Sequence, residues 1–230
     1  MRLISVSIIQ HLTLIHFRAQ VISASSPRMN AGHLSLLVGA FVWFCAIFGL
    51  AAKEAFVSGP GEPPLAVAVA FLTPLLLFLL GLGISGWRRL VLSISPVFLI
   101  ALNGWRFIGL GFLMAYQEGL LPGGFAWPAG LGDIAMAATA PLVAARVAAD
   151  DRFRFGRWFL VWNLFGIADF LDAVFLGTLY NWPGFASLPT GLMQRLPFAL
   201  IPCFFVPLVA IAHFILLAQR REAQTEAKPK

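Results

Sequence analysis

The sequence contains few charged residues. Only 11% of its 230 residues are Asp, Glu, Lys or Arg, whereas 60% are hydrophobic and the mean hydropathy is +0.86. Because a soluble domain contains about 25% charged residues, this composition excludes an ordinary water-soluble enzyme. It predicts instead a chain that crosses a membrane several times.

Cysteines and recognised catalytic motifs are also scarce. The two cysteines, Cys45 and Cys203, lie within apolar runs, which excludes a disulfide framework or a zinc site built on cysteine pairs. No HExxH, GxSxG, CxxC or Walker motif is present. His33 and His213 lie near predicted helix ends, which favours polar tips at the membrane interface over haem ligation. The sequence therefore predicts no metal and no cofactor, and it favours a protein that is not an enzyme.

Six apolar stretches are long enough to cross a membrane. About 20 residues of helix span the roughly 30 Å of bilayer hydrocarbon. The stretches occupy residues 34–53, 64–84, 90–116, 129–147, 158–179 and 197–218. We therefore predict an all-α fold, a polytopic bundle of six transmembrane helices over residues 29–221, followed by a polar cytoplasmic tail at residues 222–230.

The basic residues are unevenly divided between the two sides of this predicted bundle. Of the 16 Lys and Arg residues, 13 lie on the side of the termini and of the connectors after the second and fourth helices. Lys53 and Arg195 lie on the other side, and Arg106 lies within the third helix. Because cytoplasmic loops are enriched in Lys and Arg, both termini are predicted to be cytoplasmic. The net charge of +6 thus reflects topology and gives no indication of a nucleic-acid partner.

Residues 1–28 form an N-terminal extension of uncertain type. Arg2 followed by an apolar run has the outline of a signal peptide, but cleavage there would reverse the charge asymmetry. Two alternatives stay open: a cytoplasmic amphipathic segment, or a start codon placed too early, with Met29 as the native initiator.

Four charged residues stand out within the predicted membrane helices, and Asn103 accompanies one of them. Arg106 and Asn103 are three residues apart and share a helix face, as do Asp169 and Asp172. Asp133 lies near the start of its helix. With the predicted topology, all four charges fall in the outer half of the membrane. Intramembrane charges are costly unless they are paired or hydrated, so these residues are candidates for a ligand-binding site.

The arginine is the natural centre of this candidate site. Its planar guanidinium can hold a carboxylate in two hydrogen bonds, and we expect Arg106 to pair with Asp133. The alternative is an ion pair that only ties two helices together. Asp169 and Asp172 have no cation nearby in the sequence, which points to a protonated acid, a hydrated region, or a bound proton or cation.

Residues 121–133, LPGGFAWPAGLGD, lead into the fourth predicted helix. Pro128 is suited to the first turn of a helix, because its missing N–H is one of the unsatisfied groups there. Asp133 would then lie in the following turn, where the positive end of the helix dipole stabilises a carboxylate.

Three stretches carry a resemblance: NGWRFIGLGFLMAYQEGLLPGGFAWPAGLGD, WNLFGIADFLDAV and LPFALIPCFFVPLVAIAHF. Together they resemble a family of uncharacterised bacterial inner-membrane proteins with an LPxxFAxPAGxGD segment between two transmembrane helices. The resemblance implies a multi-pass protein of the cytoplasmic (inner) membrane, and it implies no activity. The positions that match its pattern are Arg106, Asp133, Asn163, Asp169 and His213, whereas Asp172 lies outside it.

The leading functional hypothesis is a carrier or ligand-binding membrane protein with an outward-facing polar pocket. In this hypothesis Arg106 binds a small anion or carboxylate, Asp133 orients it, and Asp169 and Asp172 form a proton or cation site, with Asn103 on the same helix face as Arg106. One alternative is an accessory subunit of a membrane complex, and another is an intramembrane enzyme with paired carboxylates. The expected partners are the lipid bilayer, a small ligand, and a second copy or a membrane-complex subunit.

Overall fold

The computed structural model describes residues 31–59, 62–182 and 184–226. The predicted extension at residues 1–28 and the last four residues of the predicted tail lie outside these ranges. The chain forms two compact units, Met1–Val38 and Gly39–Lys230. Of the first unit, the described part is the start of one helix.

The regular structure of the described residues is helical throughout. The α-helices are α1 (Ala31–Ala52), α2 (Leu65–Gly81), α3 (Ser85–Leu92), α4 (Pro96–Ala101), α5 (Gly109–Gln117), α6 (Gly123–Ala149), α7 (Arg157–Tyr180) and α8 (Val206–Glu226). Short 3-10 segments occupy Leu102–Ile108, Asp151–Phe155 and Gly191–Gln194, and a π-helical segment occupies Ile201–Phe205. The predicted all-α class is confirmed for the described residues.

Five helical stretches are long and apolar enough to cross a membrane. A sixth is obtained if α2 and α3, which meet at a bend of 110°, form one span. Large apolar side chains such as Phe41, Leu80 and Leu142 are exposed on the helices, as is expected of surfaces that contact lipid. The chain is therefore a multi-pass membrane protein by the length and composition of its helices.

Two predicted helix starts are wrong. The stretch expected to begin at Leu90 is divided, because α3 ends at Leu92 and Pro96 opens α4. Helix α6 begins at Gly123, six residues before the predicted start, so Pro128 lies inside the helix. The proline there removes one backbone donor, a loss that membrane helices tolerate when neighbouring helices surround the freed carbonyl.

Helix α6 lies at the centre of the bundle and packs against α4, α5 and α7. Its buried face is built largely of small residues, among them Ala126, Ala129, Gly130, Ala137 and Ala140. Small side chains let helix backbones approach closely in a membrane. The closest approach is at Gly109, where a Cβ would lie 2.5 Å from the carbonyl oxygen of Gly130. This crossing brings the segment before α5 directly against α6.

The end of α8 is bonded to the break between α3 and α4. The Gln219 side chain donates hydrogen bonds to the carbonyl oxygens of Leu92 (3.0 Å) and Ile94 (2.8 Å). Arg88 forms an ion pair with Glu222 at 2.5 Å. The two Gln219 bonds supply donors to carbonyls that the break between α3 and α4 leaves without helical partners.

Candidate functional site

A buried ion cluster joins three elements of the bundle. Arg106, in the segment Leu102–Ile108, donates from Nε to Asp133 Oδ1 of α6 at 2.6 Å and from Nη2 to Asp169 Oδ2 of α7. The arginine side chain is 0% exposed, and the two carboxylate side chains are 8% and 7% exposed. One guanidinium is therefore shared between two carboxylates in the interior of the bundle.

The local helix geometry explains why these side chains meet. A 3-10 helix has three residues per turn, so Asn103 and Arg106 lie one above the other on the inner face. Arg106, Asp133 and Asp169 each lie about 10 residues, or roughly 15 Å, from the helix ends next to the loops after Gln117 and Tyr180. The expected pairing of Arg106 with Asp133 is present. The expected contact of Asp133 with the helix dipole is not, because the early start of α6 places Asp133 in the third turn.

Glycines make room for the carboxylates. A Cβ on Gly132 would collide with the Asp169 carboxylate, and a Cβ on Gly109 would lie 2.8 Å from the Cβ of Asp133. The Phe170 ring lies beneath the guanidinium, with 4.0 Å from its centroid to the Arg106 Cζ. A cation over an aromatic face is stabilised when both are desolvated. The Nη1 atom of Arg106 is buried and has no hydrogen-bond partner among the described residues.

A second buried polar cluster surrounds His213 of α8. Its Nδ1 lies 2.6 Å from Asn163 Oδ1, and its Nε2 lies 3.2 Å from Asn103 Oδ1. Asn163 also donates to the His213 carbonyl at 3.1 Å, and all three residues are fully buried. The prediction of an interfacial polar tip for His213 is therefore wrong. A Cβ on Gly166 would lie 2.6 Å from the imidazole, so this glycine is what admits the ring between α7 and α8.

The two clusters are adjacent. Asn103 belongs to the same 3-10 segment as Arg106. The Phe170 ring contacts the guanidinium on one side and lies 5.9 Å from the His213 ring, centroid to centroid. Helix α8, which carries His213, is thus linked through this segment to the ion cluster between α6 and α7.

A cavity of about 200 Å³ lies beside the ion cluster. Residues of α2, α5, α6, α7 and the chain from Thr190 to Val206 line it, and Asp133 is the charged member of that lining among the described residues. Four phenylalanines form much of its apolar wall: Phe71, Phe112, Phe125 and Phe170. Polar side chains are otherwise found toward the far end: Thr178, Asn181, Thr190 and Gln194.

The loop after α7 lines this far end. Thr190 Oγ1 donates to the Gly177 carbonyl and accepts from Asn181 Nδ2, each at 2.7 Å. Gln194 Oε1 accepts from the backbone N–H of Ser58 at 2.7 Å and from its hydroxyl at 2.9 Å. These bonds hold the loop against α7 and against the connector before α2.

Most of the chain matches one protein family. Residues 63–220 match a family described as "Domain of unknown function (DUF8737)". The chain belongs to this family. The match runs from the connector before α2 into α8, so the ion cluster and the His213 cluster of the DUF8737 chain both lie within it. No match to the chain was found among curated proteins or among solved structures.

The DUF8737 chain brings some of the predicted site residues together and separates others. Arg106, Asp133 and Asp169 meet, whereas Asn103 bonds His213 and no hydrogen bond joins it to either of these carboxylates. Asp172 is exposed on the outside of α7, with no ion pair among the described residues. Within those residues, no group of three or more His, Cys, Asp or Glu side chains is placed to hold a metal ion.

Several residues of the site were missed by sequence reasoning. Asn163 and His213 match the pattern of the resemblance. No sequence pattern indicated that their side chains form a hydrogen bond, because they are 50 residues apart in the chain. Thr190 and Gln194 lie in a loop that contains no motif, and only its folding over the cavity makes them part of the lining.

Proposed function

We propose that this protein is a membrane-embedded carrier or binding protein for a small cationic ligand, with Asp133 as its charged contact. The observation that carries the proposal is the position of Asp133, which lines a largely apolar cavity while one of its oxygens is held by Arg106. Its other oxygen, Oδ2, accepts no hydrogen bond from the described residues.

The charge of the cluster supports a cationic ligand. Arg106 contributes one positive charge, and Asp133 and Asp169 contribute two negative charges when ionised. His213 is fully buried, has no carboxylate partner among the described residues and lies near the Arg106 cation, so we count it as neutral. A neutral imidazole donates a hydrogen bond to only one of its two asparagine partners. An uncompensated charge inside a membrane protein is costly. One proton makes the empty site neutral, and one bound cation can replace that proton.

The carboxylate ligand expected from the sequence is less well supported. Arg106 is fully buried beneath two carboxylates and a phenyl ring, and it is not part of the cavity lining. An anion in the cavity would instead meet Asp133. The enzyme alternative is also weakened, because Asp133 lines the cavity whereas Asp169, the second carboxylate that acid–base catalysis needs, does not.

The proposal includes an orientation in the membrane. The bent pair α2–α3 is taken as one span, which gives six crossings and places both termini on the cytoplasmic side. The distribution of Lys and Arg supports this orientation. The cavity then lies toward the outer side, near the loops after Gln117 and Tyr180. The resemblance to bacterial inner-membrane proteins supports the inner membrane as the location.

The test uses purified protein in lipid nanodiscs and measures thermal unfolding with Na⁺, K⁺ or butylamine added. A ligand that binds only the folded state raises the unfolding temperature with concentration. We expect at least one of these cations to stabilise the wild type and the Asp172→Asn variant, but not Asp133→Asn. Stabilisation of all three proteins alike, or of none, would contradict the proposal.

A second candidate function rests on Asp172. This exposed carboxylate lies about eight residues, or roughly 12 Å, inside the end of α7. Such a group is costly against lipid, which favours an accessory subunit whose Asp172 contacts another membrane protein or a second copy. Stoichiometric co-purification of a partner after gentle solubilisation, lost in Asp172→Asn, would support this role. A monodisperse single-chain species in both proteins would oppose it.

A further inference from the structure

We infer that the ligand of the cavity is a single-chain alkyl amine, with its ammonium group at Asp133 and its chain directed toward Asn181. This inference rests on the proposed function and specifies the class of molecule that the site takes.

The shape of the cavity favours a chain. Along α7 the lining residues recur at helical spacing from Phe170, at the depth of Asp133, to Asn181, which follows the helix. This distance corresponds to 11 residues, or roughly 16 Å. The cavity volume of about 200 Å³ is spread over this length, so the cavity is elongated, and we call it the channel. An elongated space of this volume admits an unbranched chain more readily than a fused ring system.

The wall of the channel matches an alkyl chain. Between the two ends its lining is aromatic and aliphatic, with Phe112, Phe125, Val174 and Ile201 among its members. Burial of apolar surface favours a hydrocarbon there. The polar groups near the far end are engaged with one another, since Thr190 bonds both Asn181 and the Gly177 carbonyl. Asp133 is the charged group of the lining among the described residues, so the channel offers an ammonium group its ionic contact at the Asp133 end.

The chemistry at that end favours a primary amine. An ammonium group is compact and carries three donors, so it can bond the free Oδ2 of Asp133 while Arg106 keeps Oδ1. A trimethylammonium group has the same charge but no N–H donor, and a hydroxyl group has a donor but no charge. These two head groups on the same chain separate the contribution of charge from that of hydrogen bonding.

The experiment measures binding of n-alkylamines with four to fourteen carbons by calorimetry, with protein in nanodiscs and empty nanodiscs as the blank. Affinity for the aqueous amine should rise about 4-fold for each added CH₂, as expected from the free energy of burying a methylene group. The rise should stop when the chain fills the channel, whereas partition into empty nanodiscs continues to increase. Alcohols and trimethylammonium compounds of equal chain length should bind at least about 10-fold more weakly.

Two variants locate the ligand. Asp133→Asn should abolish the preference for amines over alcohols. Ala173→Phe, which places a ring on a residue of the channel wall, should shorten the longest chain that still gains affinity. Leu171→Phe is the control for the latter, because Leu171 is exposed on the opposite side of the same helix.

The outcomes separate the inference from the proposed function. Binding of Na⁺, K⁺ or short amines that depends on Asp133 but not on chain length would overturn the alkyl-amine inference and leave the cation site intact. Equal binding of amines and alcohols, unchanged in Asp133→Asn, would mean that the channel holds any apolar chain, such as a lipid tail, and would overturn both. Absence of binding by every probe would also overturn both.

Discussion

At the scale of single residues, the buried cluster depends on Arg106. Two carboxylates lie in the bundle interior because one guanidinium bonds both of them and rests on the Phe170 ring. Burying these ions is expensive, and their mutual attraction offsets the desolvation only while the geometry is complete. Removal of the shared cation is therefore much more damaging than removal of a charge on the surface.

We predict that Arg106→Gln lowers the free energy of unfolding by about 3–5 kcal/mol, because it leaves two buried carboxylates without a cation. Arg89→Gln is the matched control, since Arg89 is exposed on α3, and a surface substitution of this kind changes stability by about 0.5 kcal/mol or less. Reversible unfolding in detergent micelles measures both. Adding Asp169→Asn to Arg106→Gln should restore part of the loss. Equal stability of the two single variants would contradict the account.

At the scale of elements, the site exists because helices come close at glycines. Gly109 and Gly130 bring α5 and α6 together, and Gly132 leaves the space that the Asp169 carboxylate fills. Gly166 does the same for the His213 ring. The polar side chains and the glycines opposite them therefore form one packing arrangement.

We predict that Gly132→Ala destabilises the protein by about 1–3 kcal/mol, because its Cβ would displace the Asp169 carboxylate from Arg106. The control is Gly104→Ala, in the same segment as Arg106, where a Cβ would meet nothing within 4 Å. This control should be neutral or stabilising by up to about 1 kcal/mol, as alanine is the better helix former. Thermal unfolding of the two variants side by side measures the difference, and equal losses would rule out the packing argument.

The limits of sequence reasoning are also seen in the elements. Apolar length predicted the five helical stretches that are long and apolar enough to cross a membrane, because a bilayer demands a fixed span. It placed the start of α6 at residue 129, directly after Pro128, since an N-terminal proline and a tolerated internal proline look alike in a sequence. The 3-10 segment around Arg106 could not be predicted, because the apolar pattern does not distinguish it from an α-helix.

The side-chain contacts of the ion cluster could also be predicted only in part. The pairing of Arg106 with Asp133 was predictable, because a buried arginine needs a carboxylate and few were available. That Asp169 joins them, while Asp172 one turn away does not, depends on which face of α7 meets Gly132. Only the packing of the helices decides which of the two aspartates is buried, and the sequence does not distinguish them.

At the scale of the whole molecule, the orientation in the membrane decides which side the cavity and the ion cluster face. If both termini are cytoplasmic, the cavity extends from Asp133 toward the outer side of the membrane, away from the arginine-rich connectors.

We predict that Glu118→Cys reacts with a membrane-impermeant maleimide in intact cells, whereas Arg152→Cys reacts only after permeabilisation. Both residues are exposed and lie in connectors at opposite ends of α6. Cys45 and Cys203 are first replaced by alanine, so that each variant carries one thiol. The reverse labelling pattern would mean that the cavity faces the cytoplasm and that the proposed orientation is wrong.

The central claim is that Asp133 exchanges a proton for a cationic ligand. The most direct measurement is the release of protons when saturating octylamine is added to the protein in weakly buffered nanodiscs. We expect about one proton released per bound amine, because the buried cluster stays neutral in both states. The release should be kept in Asp172→Asn and lost in Asp133→Asn. Amine binding without proton release, or undiminished release in Asp133→Asn, would contradict the account.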